Sequence, residues 1–186
     1  MKKVLFLVPL MAMAVAVSAQ TYKKVKVDIG FGYAIPNESG GGTKAGATFT
    51  LEPHYRITDA ISVGLRLEGA ALAHVSSLSG SNSDAKVSVL SSYCPTGEYY
   101  LGKSGFRPFV GVGLGFFKSA SVTIDDNTIS GGTVPQVVPG SSDFGFFPRV
   151  GFETGHFRMS AEYNVVGKGG YFAAKIGFFF GGGKKK

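Results

Sequence analysis

The chain has no tryptophan, one cysteine and, after its first twenty residues, no long apolar run. Each shortage excludes something. The lone Cys94 rules out an internal disulfide, so the fold must hold without covalent staples. With no second apolar stretch near about 18 residues, no helix is built to span a membrane. Lys and Arg do not cluster with interleaved aromatics at helical spacing, so there is no nucleic-acid face. The formal charge of +7 falls to +5 without Lys2 and Lys3, and three of the remaining positives, Lys184 to Lys186, sit in a Gly-Lys tail. Catalytic signatures are also missing. No nucleophile turn or Ser-His-acid arrangement stands out, and His54, His74 and His156 share no metal-ligand spacing. Gly30/Gly32 and the GVGLG run from Gly111 to Gly115 precede no helix, which removes a nucleotide-binding reading. Asp125-Asp126-Asn127 supplies too few oxygen ligands for a cation site. The expectation is a non-enzyme with no cofactor and no metal.

What is present is glycine (28 residues), 16 Phe, 8 Tyr and an N-terminal leader. Lys2 and Lys3 precede an apolar stretch from Val4 to Val17, and Val17-Ser18-Ala19 offers small residues for cleavage before Gln20. Residues 1–19 therefore read as a signal peptide.

From there on the pattern has period two. Eight strands are predicted: Val25 to Ile35, Ala45 to Ile57, Ile61 to Ala73, Lys86 to Leu101, Arg107 to Phe117, Phe144 to Thr154, Phe157 to Val165 and Tyr171 to Phe180. In each, bulky apolar residues share one parity. Fourteen charged residues fall inside these strands, all on the opposite parity: Lys26, Asp28, Glu52, Arg56, Arg66, Glu68, Lys86, Glu98, Arg107, Arg149, Glu153, Arg158, Glu162 and Lys175. A basic residue on the lipid side of a membrane strand near the midplane costs about 2–4 kcal/mol, and the pattern avoids that cost in every strand. Connectors alternate in length: the links after strands two, four and six are short, while those after one, three and five are longer, with Ser119 to Asp143 the longest loop. The short link Gly167 to Gly170 breaks that rule.

These features predict an all-β fold, an eight-stranded antiparallel up-and-down transmembrane β-barrel over residues 20–180, followed by a Gly/Lys-rich tail over 181–186. The tail reads as a disordered, solubilising end, the alternative being contact of Lys184 to Lys186 with inner-leaflet phosphates or cell-wall carboxylates. A closed barrel is the one sheet that satisfies every backbone group in lipid. The competing arrangement is a soluble barrel with the apolar face inward and the charged face in water. Three cues favour the membrane form: a Gly- and Ala-rich polar face, outward aromatics near strand ends (Tyr33, Tyr55, Tyr99, Phe144, Phe157, Phe178, Phe180), and a balance of Glu against Arg on the polar side. Pro53, Pro95, Pro108 and Pro148 oppose it. A closed barrel has no edge to hide a missing N–H; Pro108 is tolerable at a strand start, and bulges or earlier strand ends are expected at the other three.

PFVGVGLGFF, from Pro108 to Phe117, is similar to a strand seen widely in small outer-membrane barrels. The closing YFAAKIGFFF resembles their C-terminal assembly signal, with Phe172, Ala174, Ile176, Phe178 and Phe180 at alternate positions. The mature chain thus resembles the eight-stranded OmpA/OmpX group over nearly its whole length. That resemblance implies a bacterial outer-membrane location, contact with outer-membrane lipids, insertion by the barrel-assembly machinery, and a monomer. Gly181 to Lys186 depart from the pattern by following the last aromatic.

The candidate site is the set of lumen charges Glu52, Arg56, Arg66, Glu68, Glu98, Arg107, Arg149, Glu153, Arg158, Glu162 and Lys175, read as a paired network filling a narrow interior rather than an ion-selective pore. His54 is read as a hydrogen-bonded interior residue and Cys94 as a small filler, while Phe109, Phe147 and Phe179 narrow the lumen further. The expected role is structural or surface interaction, with the external loops meeting a surface ligand. The alternatives are a narrow conduit for small solutes and, further off, a lipid-modifying enzyme.

Overall fold

A computed structural model describes residues 20–37, 43–75, 85–124, 136–167 and 169–185. The signal peptide expected over 1–19 lies outside these residues, as do the Asp125-Asp126-Asn127 run and Lys186. Eight strands form one sheet: β1 Val25–Pro36, β2 Thr43–Arg56, β3 Ile61–Val75, β4 Ala85–Tyr100, β5 Arg107–Ile124, β6 Gln136–Thr154, β7 Phe157–Val166 and β8 Gly169–Gly181. Each strand pairs antiparallel with its sequence neighbour, and β8 returns to β1 to close an up-and-down barrel.

Period-two alternation decides which way each strand faces, because a one-residue slip would turn every side chain over. Phe31, Phe116 and Ile176 on the outer face are 60, 57 and 55% exposed, while Lys26 and Arg66 on the other are fully buried. Thirteen of the fourteen strand charges are enclosed in the lumen, and Lys86 lies where side chains are not described. The inverted arrangement, with the apolar face inside, is thereby excluded. An outer wall of Phe, Val, Leu and Ile, whose strand charges lie within apart from Lys118 near the outer rim over Tyr93, is unstable in water and suited to hydrocarbon.

The prolines act differently from expectation. Pro53, Pro95 and Pro148 sit inside continuous strands on the exposed outer face. Each interrupts the ladder toward one neighbour only: β2–β3 pairing skips from Leu51↔Leu67 to His54↔Gly64, β4–β5 from Tyr93↔Phe116 to Thr96↔Gly113, and β6–β7 from Phe146↔Val165 to Arg149↔Glu162. The register is the same on both sides of every gap, so no bulge forms. The missing N–H costs a local ladder bond and the partner strand carries the wall past it. The register shifts occur elsewhere, between Thr43 and Gly46 and between Lys118 and Ala120.

The expected Ser119 to Asp143 loop is the larger correction. β5 continues to Ile124, β6 begins at Gln136, and they pair from Ala120↔Pro139 to Thr123↔Gln136, leaving only 125–135 outside the described residues. Ser121, Val122, Thr123 and Ile124 keep strand alternation with β-branched residues; composition alone hid it. Gly140 and Ser141 oppose Ser119 as a bulge, which bends this ribbon and strengthens its twist. β6 meets β7 only from Gly145 downward, so β5 and β6 rise above the β7–β8 side of the rim.

Candidate functional site

The lumen is built from the inward parity of all eight strands. Its centre is a chain of cations and carboxylates. Glu162 on β7 receives Arg66 Nη1 at 2.5 Å, Lys175 Nζ at 2.5 Å and Arg149 Nε at 3.0 Å. Arg149 Nη1 donates to Glu52 at 2.8 Å and to Glu98 at 3.0 Å. Arg158 bonds Glu98 and lies 2.8 Å from Glu153, which also holds Lys26 and accepts from Arg56 Nη2 at 3.3 Å. Glu68 completes the outer end with Lys175 and the Tyr171 hydroxyl at 2.7 Å. Every predicted member except Arg107 joins this cross-lumen web.

Arg107 stands apart, donating to backbone carbonyls: Asp59 at 2.6 Å and Gly102 at 3.2 Å. Lys26 and Asp28 were not among the expected site residues yet lie at the heart of the web, Asp28 Oδ2 being 3.0 Å from Lys26 Nζ and 3.3 Å from Arg158 Nε. Their inward parity was already visible. Tyr100 was also missed; its hydroxyl reaches Glu98 and Glu153 at 2.8 Å each. Asn164 was missed in the same way and accepts from Arg66 at 3.0 Å.

His54 is fully interior, with Nε2 3.0 Å from Asp28 and 3.4 Å from Glu52, and Nδ1 3.4 Å from Ser62 Oγ. Glu52, His54 and Glu98 offer metal-capable atoms within 4.8 Å of one another. Arg149 and Arg158 already face both glutamates, so a divalent ion would enter a cluster whose negative charge is spent on guanidinium groups. We assign it no metal role.

Toward the outer end the lumen becomes aromatic. Phe117, Phe147 and Tyr171 cluster with Ala34, Cys94 and Ala173, all buried. The Arg66 guanidinium lies 3.6 Å from the Phe147 ring centre. The glycines of the GVGLG run make this possible, since a Cβ on Gly113 would fall on the Phe147 ring. Between aromatic layer and mouth, a cavity lined by Asp28, Glu52, Arg149, Arg158 and Lys175 measures about 20 Å³, room for about one water molecule.

At the periplasmic mouth, the side of the short turns, both ends of the described chain fold inward. Gln20 is buried and donates to the Ile57 carbonyl, while Asp59 accepts from the backbone N–H of Thr21 at 2.8 Å and of Tyr22 at 3.0 Å. Burial pushes the Asp59 carboxyl up, but those two N–H donors outweigh it and hold it below the usual carboxylate range. Positive φ at Gly181 and Gly182 (72° and 61°) turns the tail across the opening, where Lys184 bridges to Tyr22 and Arg56 donates to the Gly182 carbonyl. The expectation of a disordered tail fails for Gly182 to Lys185. Hydrogen bonds to the N-terminal segment order it, including Lys185 N–H to the Thr21 carbonyl at 2.8 Å. Neither segment has an alternating pattern, so parity could not find them.

The architecture agrees with known proteins. A comparison with curated protein sequences gives no significant match. Among solved structures, the chain is similar to Ail, the attachment invasion locus protein of Yersinia pestis, in complex with the heparin analogue sucrose octasulfate (14% identity, TM-score 0.54, 84% of this chain and 99% of that one). It is similar to Neisserial surface protein A (13%, 0.54, 84% and 96%) and to the outer membrane protein OprG of Pseudomonas aeruginosa (15%, 0.50, 87% and 98%). At these identities the likeness is one of fold. The model of the outer membrane protein beta-barrel domain matches residues 5–182, almost the entire chain, and with the lipid-suited wall around a charged interior it makes this chain a member of that family, located in the bacterial outer membrane.

Proposed function

We propose that the barrel is an occluded scaffold that presents its external rim for surface interaction. The observation that carries this reading is the pairing of a filled lumen with an uneven rim. A cavity among the charges has room for about one water, an aromatic layer lies toward the outer end, and the web of charges crosses the section between. The raised β5–β6 ribbon provides the outward surface, with the family's loops as the usual seat of binding. On this reading Glu52, Arg56, Arg66, Glu68, Glu98, Arg149, Glu153, Arg158, Glu162 and Lys175 are structural, and no catalytic role is assigned. That Ail binds a heparin analogue makes a polyanionic surface ligand a reasonable first probe of the rim, though at 14% identity the likeness reaches only the fold.

Planar-bilayer recording of the folded mature barrel tests the occlusion. The expected record is flat, and reproducible unitary steps would replace this reading with the narrow-conduit one.

The alternate apolar positions Phe172, Ala174, Ile176, Phe178 and Phe180 act, in the same proposal, as the signal read by the barrel-assembly machinery, with the barrel inserting as a monomer. Phe172, Ile176, Phe178 and Phe180 are exposed on the outer face, where an assembly factor can reach them. Phe180→Ala should slow the appearance of the heat-resistant folded band in a pulse–chase of cells. An unchanged rate would remove this role from Phe180.

A further inference from the structure

Among the described residues, the buried charges of the interior do not cancel, and the cation without an ion pair sits at one end. Seven buried cations (Lys26, Arg56, Arg66, Arg107, Arg149, Arg158 and Lys175) face six buried carboxylates, Asp28, Glu52, Glu68, Glu98, Glu153 and Glu162. The cation without an ion pair among the described residues is Arg107, at the periplasmic mouth. Its neighbour Arg56 has only a share of Glu153, which also serves Lys26 and Arg158.

Beside these two guanidinium groups is a cavity of about 190 Å³, lined also by Lys184 and Glu153. Exposed Gly105, Gly155 and Lys184 form part of its lining and open it to the periplasm. The donors at its wall are not used up. Arg56 Nε is buried and has no acceptor. Arg107 directs Nε and Nη2 to backbone carbonyls, and Nη1 meets no acceptor among the described residues. Both guanidinium groups lie over the ring of Tyr22, at 5.0 and 4.1 Å, and over that of Tyr100, at 5.6 and 4.3 Å. Stacking on aromatic faces fixes the planes. With Arg56 Nη1 on the Gly182 carbonyl and Nη2 on Glu153, the remaining donors are Arg56 Nε and Arg107 Nη1, one from each guanidinium, which suits two oxygens of one oxyanion.

From this we infer that the periplasmic mouth is a phosphate-binding site, with Arg56 and Arg107 as the ligating pair and Lys184 as an outer cation. Three cations against the shared Glu153 and the Asp59 carboxylate, itself held by the Thr21 and Tyr22 N–H groups, leave a net positive mouth that favours an anion. The phosphate has two sources at this depth: free phosphate in the periplasm, or the headgroup of a phospholipid in the inner leaflet. The inference is independent of the surface-interaction reading, since it concerns the opposite end of the barrel.

The test follows the arginine Nε–Hε signals of the mature chain, Gln20 to Lys186, folded in detergent micelles. Sodium phosphate is titrated against sodium chloride at matched ionic strength, with a parallel series adding short-chain phosphatidylglycerol to the micelles. The expected result is a saturable shift of the Arg56 and Arg107 signals in one series and none in chloride. Saturation by inorganic phosphate supports a free-ion site, and saturation by the phospholipid alone supports a headgroup site. Arg107→Gln should weaken binding about tenfold, as loss of a charge-assisted contact does. The exposed Lys184→Gln, which leaves the fold untouched, should weaken it about two- to threefold. Lys118→Gln, at the far rim, should bind as the parent does. A response to neither ligand, a shift that chloride reproduces, or parental affinity in both site variants would overturn the proposal.

Discussion

The centre of the lumen and its periplasmic mouth handle buried charge in different ways. In the centre, guanidinium meets carboxylate directly, and Glu162 alone touches Arg66, Arg149 and Lys175. At the mouth, Arg107 rests on Tyr22 and Tyr100 and donates to main-chain carbonyls. The difference follows from distance to water. A charge buried among other side chains needs an opposite charge, because nothing else repays its lost hydration. A charge beside an open cavity keeps part of its solvation, so aromatic faces and neutral acceptors suffice.

Breaking the centre should therefore have the largest effect. Glu162→Gln keeps the shape but leaves Arg66 with neutral partners, Ser92 and Asn164, and no carboxylate nearer than Glu68 at 3.6 Å among the described residues. The expected loss is about 3–5 kcal/mol, the usual penalty for orphaning a buried charge, read from the urea midpoint of the barrel in lipid vesicles. Adding Arg66→Met should restore part of it, because the uncompensated cation goes too. A loss below about 1 kcal/mol would mean that water enters the web and that the centre resembles the mouth.

How much of this could be read in advance depends on what alternation encodes. Parity alone places Glu162, Arg66 and Lys175 inside, since each opposes the bulky set of its own strand. It says nothing of which strand faces which across a closed lumen. Arg66 and Glu162 are 96 residues apart and meet only because β8 closes on β1. Pro53, Pro95 and Pro148 are expected to bulge or shorten their strands, because a closed barrel has no edge to hide a missing N–H. In the barrel, the unbroken ladder on the other side of each proline holds the register. The mouth was the least legible part: Gln20, Tyr22 and Gly182 to Lys185 form no strand; hydrogen bonds to a distant turn order the N-terminal segment, and that segment and the start of β1 in turn order the tail.

The aromatic layer offers a test of intermediate size. Gly113→Ala would press a methyl group onto the Phe147 ring, and overpacking of this kind costs about 1–3 kcal/mol. Phe147→Leu in the same background should recover much of that loss by removing the ring edge, so the double variant should unfold at a higher urea concentration than Gly113→Ala alone. Additive losses would place the strain in the β5 backbone instead of at the ring.

The smallest effect should come from Asp59, which ties the N-terminal segment to the first periplasmic turn. It is partly exposed, and its hydrogen bonds to Thr21 and Tyr22 are screened by solvent, so Asp59→Asn should change global stability by less than about 1 kcal/mol. Its effect on docking is separable from stability. The folded carboxyl titrates below its unfolded value, so the tie is fully present above the unfolded pKa of about 3.9 and is lost as pH falls through the lower, folded one. The Tyr22 amide resonance should hold steady from neutrality to about pH 5, then move toward its undocked position in stronger acid. In Asp59→Asn that acid step should vanish, and at neutral pH trypsin should cut after Lys23 or Lys24 more readily than in the parent. If the acid step persists in the variant, another group holds the segment. The lumen carboxylates that face Arg56 would then be the place to look, because Arg56 is where the tail, the N-terminal segment and the central web meet.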